Sequence, residues 1–298
     1  MKLTAQKRRI LVAYLFILPG LLLYLIFNIY PLLKAFQMSF LEWNIMPGQP
    51  NEFVGLANYA RAVGDDVARL ALRNTILYAL VTVPGQMVLA LAAAVLLNSI
   101  QRLRTFFRTL YYLPVITSWV IVSLLFRYLF QSPKGLINHF LMNTLHLISE
   151  PIPWLREAGT AMVPIWSLGI WKGIGWSMVI FLAALQTIPQ DLYEAAAIDG
   201  ANAWNKLRSI TLPLLRPTLV FTLVMLMIGG FNVFLSVMLI TNGGPLQRTE
   251  VLLSYMYHQA FDFLDFGYGA ALSFSLAVII VTLSYLQIRF LRQPEELR

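Results

Sequence analysis

The sequence predicts an all-α membrane protein with six transmembrane helices and both termini on the cytoplasmic side. Three observations carry this. Hydrophobic residues make up 58% of the 298 positions and charged residues 12%, against roughly 45–50% and 25% in a soluble domain. Six apolar runs of 21–26 residues follow one another, each long enough to cross about 30 Å of hydrocarbon at about 1.5 Å per residue. Lysine and arginine alternate in density between the loops on the two sides. So little charge cannot cover a water-facing surface, which excludes a soluble enzyme and a disordered chain.

The runs are Ile10–Leu33, Thr75–Leu97, Leu110–Phe130, Met162–Thr187, Pro217–Thr241 and Gly269–Phe290. None alternates with a period of two, so barrel strands are not indicated. The first follows Lys7, Arg8 and Arg9 as a signal peptide would, but it exceeds the usual apolar core of about 7–15 residues and no small-x-small site follows. It is read as an uncleaved helix. The second and third enclose a short basic loop. The fourth carries Lys172, and the fifth opens just after a run rich in alanine and proline. The sixth ends in a basic tail.

Orientation follows the positive-inside rule. The N-terminus, the 98–109 loop, the 188–216 loop and the C-terminus hold 13 lysines and arginines; the alternate loops, 34–74, 131–161 and 242–268, hold seven over a greater length and nine of the 14 acids. The net charge of +8 is thus a topology signal, not a nucleic-acid footprint. The 34–74 loop, with four basic residues, runs against the trend. In the 131–161 loop, Leu136–Ile148 mixes apolar residues with Asn138, His139, Asn143 and His146, and predicts an amphipathic helix lying on the outer surface.

The 188–216 loop is more than a connector. Asp191 and Glu194 have the spacing of an Asp-x-x-Glu cap. Three consecutive alanines follow, the best helix formers. Gly200 sits where a left-handed C-terminal cap belongs. Asn202 can cap a second helix over Ala203–Thr211, which Pro213 should end. Two such short helices are not stable alone in water; they need a surface to dock on, either their own span ends or a partner. Leu192, Ala195 and Ala196 form a small apolar stripe for that purpose.

Glu194-Ala195-Ala196, Gly200, Ile210, Leu212 and Pro213 stand at the spacing Glu-Ala-Ala, three residues, Gly, nine residues, Ile-x-Leu-Pro. This resembles the signature loop of permease subunits of binding-protein-dependent ABC importers. Thr241-Asn-Gly-Gly-Pro245, Thr249-Glu250, Tyr257, Phe261, Phe266-Gly-Tyr-Gly-Ala270, Phe53-Val-Gly-Leu-x-Asn-Tyr59 and Asn74-Thr75 are similar to the sugar branch, within it to the maltose-type and glycerol-3-phosphate-type first permease subunit. The chain departs from the maltose protein in lacking extra N-terminal spans and a large outer insertion, and it differs at several pocket positions.

The resemblance implies a single type I ABC importer transmembrane domain over 1–298, with its core at 70–290 and its coupling loop at 188–216. It implies import of a mono- or oligosaccharide delivered by an extracytoplasmic binding protein, a homologous second permease subunit, and two ATPase subunits that bind ATP and magnesium and dock on the loop. No Gly-x-x-x-x-Gly-Lys-Ser/Thr phosphate loop occurs in the chain, so ATP hydrolysis is expected elsewhere. Pocket positions carried over from the maltose-type relative fall on Gly169, Lys172, Gly173 and Trp176, and on Leu226, Gly229, Gly230 and Val233, with Asn232 adjacent. Lys172 is the one Lys, Arg, Asp or Glu well inside a predicted span; it either faces a cavity or snorkels to the outer interface. Arg127 reads as an interface anchor. A glycerol-3-phosphate-like solute is the alternative within the family; an ATP-independent channel or secondary transporter is the alternative outside it. His139, His146 and His258 lack metal-ligand spacing, the chain has no cysteine, and no nucleophile–base pair is present, so no metal, bound cofactor or catalytic residue is expected in this chain.

Overall fold

The computed structural model describes residues 5–44, 50–100 and 102–291. Lys2, Arg292 and Arg298, used in the charge count, lie outside them, as do the side chains of Lys7 and Arg8. The chain forms two compact units. One comprises the chain up to Gly64 together with Met256–Ser275; the other comprises Asp65–Tyr255 and the chain from Leu276.

In the first unit, α1 (Ala5–Tyr24) passes through a widened π-turn (Leu25–Ile29) into α2 (Tyr30–Met38). Val12–Met38 is one long apolar helix, running past the predicted end at Leu33. A two-stranded ribbon of β1 (Leu41–Glu42) and β2 (Glu52–Phe53) follows, Leu41 opposite Phe53, and then α3 (Ala57–Gly64). The Phe53–Tyr59 and Phe266–Ala270 motifs hold this unit together. The Asn58 amide donates to the Ser39 and Leu41 carbonyls at 3.1 Å each, and the Tyr59 hydroxyl donates to Ser39 at 2.7 Å. Arg61 pairs with Asp265 at 2.6 Å and lies 4.0 Å over the Tyr268 ring. Gly267 is a glycine because a Cβ there would overlap the Leu41 carbonyl.

The second unit is built on α4 (Asp66–Ser99). It begins nine residues before the predicted Thr75 because Asp65 caps it, accepting from Val67 N at 2.8 Å and Ala68 N at 3.3 Å. Satisfying those free donors lets the helix extend beyond its apolar stretch. At its start, Asn74 donates to the Arg248 and Glu250 carbonyls at 2.9 and 2.8 Å, and Thr75 accepts from Leu252 N at 2.9 Å. The Asn74-Thr75 and Thr249-Glu250 motifs therefore bind each other.

The third predicted span is not one straight helix. It is α5 (Arg104–Ile116) and α6 (Trp119–Leu129), bent by 92°. Pro114 removes a backbone donor within the last turn of α5. The Thr117 hydroxyl donates back to Leu113 O at 2.7 Å; Thr117 is extended, and Ser118 also lies outside the helical region. The surface helix expected over Leu136–Ile148 is shorter: α7 (Leu136–His139) and one π-turn ending at Thr144. It stops early because buried Asn138 bonds the Ile152 backbone and the Trp154 indole, drawing the chain back.

The fourth span, α8 (Met162–Leu185), packs along α4. Ala90, Ala93 and Ala94 of α4 meet Met178, Phe181 and Leu182 of α8, with Leu215 beside them. Small residues allow this close approach, which in lipid supplies van der Waals contact in place of a hydrophobic drive. After α9 (Gln190–Ile198) and α10 (Ala203–Lys206), a π-turn (Leu207–Thr211) leads directly into α11 (Leu212–Phe231). Pro213 does not end the helix as expected. It stands in the first turn of α11, after the widened turn, where its missing N–H is tolerated. The predicted fifth span is interrupted instead at the other end: α11 stops after Gly229-Gly230-Phe231, and α12 (Leu235–Ile240) follows. Glycines near a helix end weaken it by about 1 kcal/mol each relative to alanine. The chain then passes through α13 (Leu252–Tyr257) to α14 (Phe266–Leu291). Among the described residues, five helices are long and apolar enough to cross a membrane, and the bent pair is a sixth span if counted as one.

Candidate functional site

Five helices of the second unit line an open-sided cavity of about 290 Å³. Helix α8 contributes Gly169, Lys172, Gly173 and Trp176; α11 contributes Met225, Leu226, Gly229 and Gly230. Helix α4 adds Tyr78 and Gln86, and the corner between α5 and α6 adds Val115 and Trp119. Residues one helical turn apart share a face, which is how the α8 set comes together.

The glycines make the cavity. A Cβ on Gly169 would overlap the Tyr78 hydroxyl, and one on Gly173 would overlap the Gln86 amide. Two polar side chains of α4 therefore lie directly across the α8 backbone. Gly229 has no atom within 4 Å of where its Cβ would be, so its face is open space. Asn232 and Val233 belong to an adjoining hollow of about 510 Å³ that shares Tyr78, Trp119 and Gly229 with the first. They sit at the break between α11 and α12, where Asn232 donates to Ile228 O at 2.7 Å.

The polar groups of the cavity differ in what they have left to offer. Lys172 is 4% exposed, so it does not snorkel. Its ammonium donates to Pro114 O and Thr117 O at 2.6 Å each and lies 3.4 Å from Val115 O. The Trp119 ring centroid is 4.9 Å away. The Tyr78 hydroxyl and the Gln86 amide, by contrast, have no hydrogen-bond partner among the described residues, and both residues are buried. Tyr78, Gln86 and Trp119 were not apparent in the sequence. They become neighbours of Lys172 only through the packing of α4 on α8 and the break in the third span. Trp171, which flanks Lys172 in sequence, turns away to a separate groove, its ring centroid 5.8 Å from that of Phe126 and its plane tilted 42° to it. Arg127 is exposed, as an interface anchor would be, with one guanidinium nitrogen 3.4 Å from Leu239 O.

The second candidate site is the 188–216 loop. Gly200 has φ +77°, as its cap position requires. Its N–H donates to Ala197 O at 3.1 Å and that of Ala201 to Ala196 O at 2.8 Å, the paired bonds of a Schellman cap. Asn202 caps α10 by accepting from Asn205 N at 2.8 Å. Asp191 and Glu194 do not form the expected cap; Pro189 holds that position without a side-chain bond. Both acids are exposed in the first turn or just after it, where the helix dipole still favours them. Inward, Tyr193 and Ile210 pack against the α4–α8 cluster. Outward, Leu192, Ile198 and Trp204 are exposed, Ile198 at 88%. Ala195 and Pro213 are exposed as well, while Ala196 and Leu212 are half-buried.

Long apolar helices around a cavity with free polar groups, and a capped helical loop presenting apolar side chains at one end, define a membrane permease. The chain belongs to the family of binding-protein-dependent transport system inner membrane components, whose pattern matches residues 86–293. A lactose transport system permease protein, LacF of Rhizobium radiobacter, is 35% identical over 278 residues, 92% of each chain. An arabinooligosaccharides transport system permease protein, AraP of Bacillus subtilis, is 36% identical over 279 residues, 93% of this chain and 87% of the other. The fold is that of type I ABC importer permeases. It matches, at a TM-score of 0.83 and 22% identity over 98% of both chains, the bacterial alginate ABC transporter solved in complex with an alginate pentasaccharide-bound periplasmic protein.

Proposed function

We propose that this chain is one permease half of an ATP-driven importer for a neutral sugar. In this reading it crosses the membrane six times, the α5–α6 pair counting as one broken span, with both termini cytoplasmic. An extracytoplasmic binding protein delivers the sugar, a homologous second subunit completes the pathway, and two ATPase subunits, binding ATP and magnesium, dock on the 188–216 loop through Glu194, Ala195, Ala196 and Gly200. The sugar-named relatives support the substrate class.

The observation that carries it is the division of labour in the cavity. The free groups are a phenol hydroxyl, an amide and two indole rings, all neutral. Hydroxyls and amides exchange hydrogen bonds with sugar hydroxyls, and rings stack on the apolar faces of a pyranose. The lone cation has its hydrogens directed at backbone carbonyls, so it does not furnish a phosphate site. A glycerol-3-phosphate-like solute is disfavoured for that reason.

The test is uptake by proteoliposomes holding this chain, its second permease, the ATPase and the binding protein. Uptake of a mono- or oligosaccharide that requires ATP and the binding protein is expected. Uptake without ATP, or confined to phosphorylated solutes, would reject the reading.

A further inference from the structure

An ammonium has three hydrogens to donate. At Lys172 two are taken by Pro114 O and Thr117 O at 2.6 Å, and Val115 O lies at 3.4 Å. These carbonyls are where α5 ends, the groups that a broken helix leaves without partners. Broken helices are tolerated at membrane depth only when the freed backbone groups are satisfied within the protein. A cation at a helix C-terminus also meets the negative end of the dipole. The approach that allows this is built in: Gly175, three residues on, lies against the Tyr111 carbonyl so closely that a Cβ would overlap it. Helix α8 therefore lies on the backbone of α5 with no side chain between them at that point.

We propose that Lys172 is a positioning residue that latches the corner between α5 and α6, and so holds Val115 and Trp119 as one wall of the cavity. It is not a solute ligand. The 92° turn departs from helical backbone angles at Thr117 and Ser118, and the Thr117 hydroxyl bond to Leu113 O ties it only to its own helix α5. The lysine, anchored on α8, supplies a restraint from outside the turn. Trp119, the first residue of α6, rides on that corner and would move with it. The consequence for transport rests on the sugar pathway proposed above; the geometry of the corner does not.

The chain has no cysteine, so spin labels at Arg108→Cys on α5 and Leu125→Cys on α6, both exposed, report the corner directly in the assembled importer in lipid. The parent should give one narrow distance distribution. Lys172→Met should broaden or shift it. In the unlabelled chain the same change should lower transport by about tenfold, equally for every sugar carried, with their order of preference kept. Lys172→Cys treated with 2-bromoethylamine rebuilds an ammonium with sulfur in place of the γ-methylene, and transport should recover; iodoacetamide, which adds no charge, should not restore it. Where the Met variant does not assemble, Lys172→Arg, which keeps charge and donors, must retain both the narrow distance and the order of preference. A parental distance in Lys172→Met together with an altered solute preference would make Lys172 a ligand and overturn the latch. A parental distance with unchanged transport overturns it as well. If the parent carries no sugar, the substrate reading fails while the distance measurement still decides the latch.

Discussion

Tyr193 and Thr211 share a hydrogen bond between their hydroxyls at 3.0 Å, across the corner from helix α9 to the foot of the fifth span. Helix α9 has nine residues, too few to be stable alone in water. Apart from half-buried Tyr193 and Ala196 it is exposed. The Tyr193 ring and its hydroxyl bond are thus what ties the proposed docking helix to the helices that would move.

Tyr193→Phe keeps the ring and deletes the bond. An intramolecular hydrogen bond contributes about 0.5–1.5 kcal/mol, up to about tenfold in an equilibrium. The variant should assemble normally, with the ratio of solute-stimulated to basal ATPase activity reduced by a few-fold to about tenfold. Tyr193→Ala, which also removes the packing on the α4–α8 cluster, should reduce it further. An unchanged ratio in both would show that α9 is held by its docked partner alone.

Gly200 at φ +77° tests the loop from the other side. A left-handed conformation costs an ordinary residue about 1–2 kcal/mol, and a β-branched one more. Space is not the obstacle, since no atom lies within 4 Å of a Cβ there; the strain is in the backbone. Gly200→Val combined with Glu194→Lys should abolish transport and solute-stimulated ATPase activity while the chain still inserts. Normal stimulation in that double variant would remove the coupling role from the loop.

Topology is checked with single cysteines in this cysteine-free chain. Ser149 and Asn205 are both exposed. Ser149→Cys should react with an impermeant maleimide from outside intact cells, and Asn205→Cys only after permeabilisation. Outside labelling at Asn205 would put the docking loop beyond reach of any cytoplasmic ATPase.

What was legible in the sequence follows from what local pattern encodes. Gly200 and Asn202 announce their caps because the chemistry of a cap is set by one or two residues. The apolar runs announce helices because lipid permits little else. The bend at Thr117–Ser118 was hidden, since Pro114 alone does not say whether a helix kinks or breaks. The deciding partner, Lys172, lies 55 residues from Thr117 in the chain. Pro213 misled for the opposite reason: a π-turn accommodated it, and nothing in the sequence marks a π-turn. Tyr78 and Gln86 could not be chosen from the apolar run around them because their importance comes from Gly169 and Gly173 on another helix.

Tyr78 offers the sharpest test of the cavity. Its side chain lines both hollows, and its hydroxyl has no hydrogen-bond partner among the described residues, so it carries no bond within the fold. Deleting that hydroxyl should therefore leave assembly and thermal stability of the complex near the parent values. If that hydroxyl serves the solute, the same deletion removes one of its hydrogen bonds, and Tyr78→Phe should raise the half-saturating sugar concentration by up to about tenfold. Trp176→Ala, which removes a large rigid face for stacking, should lower transport at least as much while basal ATPase activity stays near the parent value. Affinity thus falls at Tyr78 while stability holds, which a purely structural residue cannot produce. Loss of stability in Tyr78→Phe with unchanged sugar dependence would mean the hydroxyl has a partner within the fold, and that the solute passes elsewhere.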